Sequence, residues 1–197
     1  MRSKLALDPV ARALFERGKA ESFGVVHDIA SGRGQVALLL RMTGVATAVT
    51  GIDWDSDKVA IAIEAGSGLE DVSFAHGDVC SAAIPAADTV LLIDILHYLT
   101  REEQDALLVR AARATRDRVI VRDVDPDRGA SSVLTQGWEW ITTTLGYNRG
   151  ARVSPRSFVE ITRLLEAEGL VVSRELCSAK GMSNVLLIGR RELATSR

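Results

Sequence analysis

Apolar residues along this chain gather into short runs, and an aspartate stands at or near the end of each of four of them. Gly24 to Ile29 contains Asp28, Thr47 to Ile52 is followed by Asp53, Val72 to Gly77 by Asp78, and Thr89 to Ile93 by Asp94. Runs of that length, separated by helical patterns, read as strands buried on both faces of a parallel sheet. Asp8 with Pro9 caps a leading helix over residues 9–17, and further helices are expected from Gly34 to about Met42 and from Asp57 to Ala65, the latter stopped by Gly66. Thr100 and Glu103 form a capping box for a helix reaching about Thr115, and Ser154 with Pro155 opens another that ends at Gly169. Arg118 to Arg122 reads as strand five, and Leu170 to Leu176 with Val185 to Ile188 as a hairpin about the turn Ser178 to Met182. Alternating βα units closed by two strands predict an α/β, three-layer, doubly wound sheet of seven strands, mostly parallel with an antiparallel C-terminal hairpin.

Open sheets of this kind bind ligands at the carboxyl ends of their strands. Asp28, Asp53 and Asp78 recur every 25 residues, about one strand plus one crossover helix and its loops, so their carboxylates are expected at the same edge.

Composition narrows the classes. With 197 residues and 47% hydrophobic content the chain can bury one substantial core, and no Pro/Gly/Ser-rich break divides it, so residues 1–197 are expected to form one domain. Within it, residues 1–20 read as a helical cover and Asp125 to Val153 as an insertion longer than a usual βα connection. Twenty-four basic against 26 acidic residues leave no field to hold a polyanion, which argues against nucleic acid as a partner. Cys80 and Cys177 lack metal-type spacing, so no metal is expected and reduced thiols in a cytoplasmic protein are the default. Charges scattered through residues 1–19 exclude a secretory apolar region. The longest apolar stretch, Thr89 to Leu99, is broken by Asp94 and His97 and too short to span a bilayer, so no membrane partner is expected.

After the first strand comes Asp28-Ile29-Ala30-Ser31-Gly32-Arg33-Gly34, leading into a helix. Small residues there let backbone approach a ligand, and the free N–H groups of the helix start favour an anion. The small residues fall at 30, 32 and 34 with an acid before them, not as G-x-G-x-x-G, which disfavours NAD and a nicotinamide-dependent reductase. Asp53 stands 19 residues beyond Gly34, where a carboxylate can accept from two vicinal ribose hydroxyls. Alone, each aspartate reads equally as a loop or capping residue. Their ordered combination with the turn points to a nucleoside site.

These residues resemble the class I S-adenosylmethionine-dependent methyltransferases, whose D-x-G-x-G-x-G turn matches Asp28 to Gly34 with Ala30 at the first glycine; the resemblance covers nearly the whole chain. It implies a Rossmann-like methyltransferase fold, S-adenosylmethionine as cofactor and S-adenosylhomocysteine as product. By the same resemblance Asp28, Ala30, Ser31, Gly32 and Gly34 hold the methionine part, Asp53 the ribose hydroxyls and Asp78 the adenine amino group. Val79 N–H lies near the ring, Trp54 lies against the adenosine, and Asp94 joins the cofactor set from the end of strand four. A second departure falls at Ala114 to Arg118, where relatives often carry Pro-Gly-Gly. The Asn/Asp-Pro-Pro-aromatic motif of nucleobase amino methyltransferases is missing after strand four, where Asp94-Ile95-Leu96-His97-Tyr98 looks like small-molecule methyltransferases. More narrowly, Leu91 to Leu99, Glu103-Gln104, Arg122-Asp123 and Ser183 to Leu186 resemble methyltransferases of bacterial aryl-polyene and polyketide-like pathways.

Methyl transfer from a sulfonium is an in-line displacement with a neutral leaving group, so a base is needed only for an acceptor that starts protonated. His97 is the candidate catalytic residue, its competing role being to pack or cap the next helix. Tyr98 is a pocket wall or core, Arg122 a clasp for a substrate anion or half of a salt bridge, and His27 and His76 are structural. Trp138, Trp140 and Tyr147 offer an aromatic wall over a small-molecule acceptor; Trp138, Ile141 and Leu145 share a helical face, and a homodimer contact would look the same. Arg110, Arg113, Arg116 and Arg118 read as a solvated helix face. A cofactor-binding or scaffold protein without catalysis is the alternative function.

Overall fold

A computed structural model describes residues 9–123, 154–176 and 185–192. The chain alternates α1 (Pro9–Ala20), β1 (Gly24–Ile29), α2 (Gln35–Met42), β2 (Ala46–Asp53), α3 (Ser56–Gly66), β3 (Val72–His76) and β4 (Ala87–Ile93). It continues through a single 3-10 turn (Leu96–Tyr98), α4 (Arg101–Ala114), β5 (Thr115–Arg122), α5 (Phe158–Ala167), β6 (Leu170–Leu176) and β7 (Val185–Arg191). The strands form one seven-stranded sheet in the order β3-β2-β1-β4-β5-β7-β6. β1 to β5 pair in parallel, while β7 is antiparallel to both β5 and β6. The expected sheet and its closing antiparallel pair are therefore both present.

Local chemistry explains the helix starts. Thr100 accepts from the Glu103 N–H while the Glu103 carboxylate accepts from the Thr100 N–H, the reciprocal box expected at the head of α4. Asp55, immediately before α3, accepts from the Asp57 and Lys58 N–H groups at 3.1 Å each. α5 starts later than expected: Ser157, not Ser154, caps it. Ser154 N–H is committed to the His97 carbonyl at 2.9 Å and its carbonyl to Gln104 Nε2 at 2.8 Å, so residues 154–157 remain extended. At Ala114 to Arg118 there is no loop: α4 ends at Ala114 and β5 begins at Thr115.

Two apolar layers sandwich the sheet. On one face α1, α2 and α3 bury Val10, Leu14, Ala37, Leu40, Val59 and Ala62 against Val26, Val49, Leu91 and Ile188. On the other, Leu107, Leu108 and Ala111 of α4 and Phe158, Ile161 and Leu165 of α5 pack on Val90, Leu92, Val119 and Val121. Both sets follow the i, i+3, i+4, i+7 spacing of a buried stripe. Among the described residues no helix is long and apolar enough to cross a membrane.

The arginine series does not form one solvated face. Arg116 and Arg118 belong to β5. Arg118 is buried, bound to Asp117, Glu21 and the Ser22 carbonyl, with its guanidinium 5.2 Å from the Phe23 ring centroid. Arg113 pairs with Glu168 at the surface, and Arg110 reaches backbone carbonyls of the β3–β4 connection.

Neighbouring residues of β1 pull acid stability in opposite directions. Burial pushes the His27 imidazole down from 6.5 to about 4; its Nδ1 lies 2.6 Å from Thr50 Oγ1 and its Nε2 has no partner among the described residues. Burial, aided by the Asp53 charge and opposed by the Ala37 N–H, pushes Asp28 up from 3.8 to about 7. From about pH 4 to 6.5 the unfolded chain holds a His27 proton that the fold refuses, so this group makes stability rise with pH. Over the same window the fold keeps an Asp28 proton that the unfolded chain releases, so stability falls with pH and the two effects offset. Asp28→Asn removes only the second, and its stability relative to the unsubstituted protein is expected to climb with pH by about 1 kcal/mol per unit in that window. Urea midpoints measured at half-unit steps check this; a constant difference would contradict it.

Candidate active site

Because β1 to β5 run parallel, their carboxyl ends share one edge, and the chain order reverses between β1 and β4, the switch point at which open sheets of this kind bind ligands. The turn after β1 is fixed from below: Ser31 N–H donates to the Ile52 carbonyl at 3.0 Å, Gly34 N–H to the Ser31 carbonyl at 2.9 Å, and Gly32 N–H to Asp53 Oδ2 at 2.7 Å. Gly34 occupies the left-handed region at φ 69° and caps α2 without a side chain. A Cβ there would lie 2.6 Å from Phe74 Cζ and 3.1 Å from Ala62 Cβ, so glycine permits the close approach of α2, α3 and β3. Gly32, at φ 55°, has open space where a Cβ would stand. The turn therefore offers bare backbone and an uncapped helix start to a ligand, and the buried Ser31 hydroxyl has no partner among the described residues.

Ala30 also adopts a left-handed conformation, at φ 60°. An L side chain there costs about 1 to 2 kcal/mol, part of which glycine returns as unfolded-state entropy. Ala30→Gly is expected to raise the melting temperature by about 1 to 3 °C and not to weaken cofactor binding. A lower melting temperature would show that the methyl group is packed favourably.

Asp53 is 4% exposed and joins two parts of the site. Its Oδ2 takes the Gly32 N–H and its Oδ1 the Asp55 N–H at 3.0 Å, joining the glycine turn to the start of α3. A carboxylate has about four acceptor positions, so about two are left for further donors. Asp28 lies buried beneath the same turn, with the Ala37 N–H of α2 as partner. Trp54 is half-buried just beyond β2, its carbonyl accepting from His76 Nε2 at 2.8 Å. Asp78 accepts the Cys80 N–H on Oδ1 at 2.9 Å, and Gly77 N–H ties the segment to the Asp53 carbonyl at 2.9 Å. The Val79 side chain is buried in the core. Burial, then the Glu103 and Asp78 carboxylates, push the Cys80 thiol up to about 11, which keeps it a protonated, inert thiol. His27 and His76 both make contacts internal to the fold, with Thr50 and the Trp54 carbonyl.

A second group stands at the ends of β4 and β5. Asp94, at φ 56°, donates its N–H to the Arg122 carbonyl at 2.9 Å, and its Oδ1 lies 3.2 Å from Arg122 Nε. The salt bridge is the arrangement seen for Arg122. His97 is 1% exposed. Its Nδ1 lies 2.5 Å from Asp123 Oδ1, its N–H donates to Asp123 Oδ2 at 3.2 Å, and its Nε2 has no partner among the described residues. Burial acts to lower the His97 pKa, but the Asp123 carboxylate beside it, helped by Asp94, outweighs burial and the Arg122 charge and raises it. The Tyr98 ring centroid is 4.0 Å from that of His97, and burial followed by Asp94 and Asp123 pushes its phenol up to about 12.

The fold brings Asp28, the turn, Asp53, Trp54, Asp78 and Val79 to the strand-end edge, and Asp94, His97, Tyr98 and Arg122 to the ends of β4 and β5. Trp138, Trp140 and Tyr147 lie outside the described residues. Sequence reasoning gave Asp123 no role, although it ends β5 as the other acids end their strands; its pairing with His97 needed the β4–β5 register. Among the described residues no cluster of three or more His, Cys, Asp or Glu could hold a metal ion.

Residues 26–118 match the family model described as a methyltransferase domain. No curated protein matches the chain by sequence. Among solved structures, an O-methyltransferase family protein from Burkholderia thailandensis is similar at TM-score 0.74 and 20% identity, covering 94% of this chain and 56% of its own. Magnesium protoporphyrin IX methyltransferase from Synechocystis, solved with S-adenosylhomocysteine bound, gives TM-score 0.68 and 19% identity over 95% of this chain and 82% of its own. Mitomycin 7-O-methyltransferase gives TM-score 0.68 and 22% identity over 91% and 53%. The chain thus spans about half the length of the first and third, and at these identities the likeness is one of fold. The matched residues include those that build the glycine turn and the acidic ends of β1 to β4, and with the order of the sheet they give this chain a methyltransferase-domain match and the fold of the class I S-adenosylmethionine-dependent methyltransferases.

Proposed function

We propose that this protein transfers the methyl group of S-adenosylmethionine to an oxygen or carbon of a small, aromatic or polyketide-like molecule, with His97 as base and Asp123 as the group that orients it. The observation that carries this reading is the buried His97–Asp123 pair, 2.5 Å apart, whose second imidazole nitrogen has no partner among the described residues. When bound, the cofactor supplies an electrophilic methyl on a sulfonium.

The residues fit that group. Gly32 and the uncapped start of α2 receive an amino-acid tail, Asp53 keeps two acceptor positions for ribose hydroxyls, and Asp78 with the Val79 N–H faces adenine in this reading. Asp123 holds Nδ1 protonated, which leaves the lone pair on Nε2 to take a proton from an acceptor hydroxyl or enol. Tyr98, un-ionised at neutral pH, packs against the imidazole. Arg122, engaged by Asp94, shapes the wall between the two groups. The chain is read as one methyltransferase domain, with residues 1–20 as cover and Trp138, Trp140 and Tyr147 of the 125–153 insertion as the acceptor wall. The O-methyl transfer in the names of two fold neighbours supports an oxygen acceptor.

Incubation with methyl-labelled S-adenosylmethionine and extract from the producing cells, followed by mass spectrometry, tests the reading. A labelled small molecule is the expected result. Tight cofactor binding with no labelled product in any extract would favour a scaffold.

A further inference from the structure

The connection after β3 is gripped by a residue that the cofactor reading does not use. Asp78 opens one tight turn: its carbonyl accepts the Ser81 N–H at 3.1 Å and the Ala82 N–H at 2.8 Å, and its Oδ1 accepts the Cys80 N–H at 2.9 Å. The carbonyls of Val79 and Ala82 are left at the far end of this turn, and the Arg110 guanidinium takes both, Nη2 to Val79 and Nη1 to Ala82, each at 2.6 Å. Arg110 projects from the middle of α4, whose Leu107, Leu108 and Ala111 are locked in the core beside Val79. A planar fork with two donors on two carbonyls fixes orientation as well as distance, which a single ammonium cannot do. The turn is therefore held between the Asp53 carbonyl, through Gly77 N–H, and the helix α4 packed in the same core as Val79.

We infer that Arg110 is a positioning residue for base recognition: by clamping the Val79 and Ala82 carbonyls it holds the Asp78 carboxylate and the Val79 N–H where they read the adenine edge of the cofactor. This rests on the assignment of the adenine to Asp78 made above. The selectivity follows from chemistry: a carboxylate accepts from the 6-amino group of adenine and repels the 6-carbonyl oxygen of hypoxanthine. Without the clamp the turn can move, and a donor–acceptor match that depends on a few tenths of an ångström is lost before general affinity for ribose and the amino-acid tail.

The test is calorimetric binding of S-adenosylhomocysteine and of its inosine counterpart to the full chain and to Arg110→Ala, Arg110→Lys and Asp78→Asn. Arg110→Ala is expected to weaken S-adenosylhomocysteine binding about tenfold and to collapse the preference for adenine over hypoxanthine, with Arg110→Lys recovering part of it. Equal weakening of both ligands with the preference intact is what a merely structural arginine would give, and it overturns the inference, as does unchanged binding. Asp78→Asn separates the two levels. If it leaves the preference untouched, adenine is not read at Asp78 and the underlying assignment falls; if it abolishes the preference while Arg110→Ala does not, only the role of Arg110 falls.

Discussion

Asp53→Ala is expected to weaken S-adenosylhomocysteine binding by about 3 to 5 kcal/mol, more than the loss of a ribose contact alone would cause. Charge-assisted bonds from two hydroxyls contribute about 1.5 to 3 kcal/mol. The remainder comes from the apo protein: Asp53 is the acceptor for Gly32 N–H in the turn and for Asp55 N–H ahead of α3, and its removal leaves both donors without their partner in a buried setting. Asp53→Asn separates the two parts, because one carbonyl oxygen can keep one of the backbone donors while the charge is lost. Calorimetry should rank the affinities as unsubstituted protein, then Asn, then Ala. An Ala variant with unchanged affinity would remove the cofactor from the β2 end altogether.

The second large effect is expected on turnover. His97→Asn keeps a donor for Asp123 and removes the titratable nitrogen, and it should lower kcat on a hydroxyl acceptor by about 10²- to 10⁴-fold while the dissociation constant for S-adenosylhomocysteine stays the same. A base must be neutral to work, and the Asp123 carboxylate holds His97 above its ordinary 6.5, so activity should rise with pH on a limb centred above that value. Asp123→Asn takes away the charge that outweighs burial; the limb should then shift to lower pH while kcat falls through lost orientation. A pH profile unmoved by Asp123→Asn, or full turnover in His97→Asn, would assign the pair to structure.

Much of this architecture could be read from local pattern. The apolar runs with an acid at or just past their ends located β1, β2 and β4, because strands covered on both faces must be largely apolar and their polar ends mark the edge of the sheet; the third run located β3, but as the outer strand of the sheet it buries only Phe74, not both faces as expected. The capping box at Thr100 and Glu103 set the start of α4 to the residue. The turn from Asp28 to Gly34 was legible as a stretch of bare, tightly turned backbone, since close approach and a left-handed cap require small residues in fixed positions.

What the chain encodes by itself, then, are features that depend on residues within one βα unit: element type, the capping box of α4, the glycine turn and the acid at or near the ends of β1 to β4. Tertiary structure alone decided which distant groups meet. Ser154 and Pro155 look like a helix start, yet the Ser154 backbone is spent on His97 and Gln104 and the Pro155 carbonyl on Arg101, so α5 begins at Phe158. Arg110 looks like a surface residue and grips carbonyls 28 and 31 positions away. His97 finds Asp123, 26 residues along, only because β4 and β5 are neighbours in register. Such contacts are set by the order and register of strands, through hydrogen bonds with no local periodicity, and no local pattern of apolar and polar residues carries them.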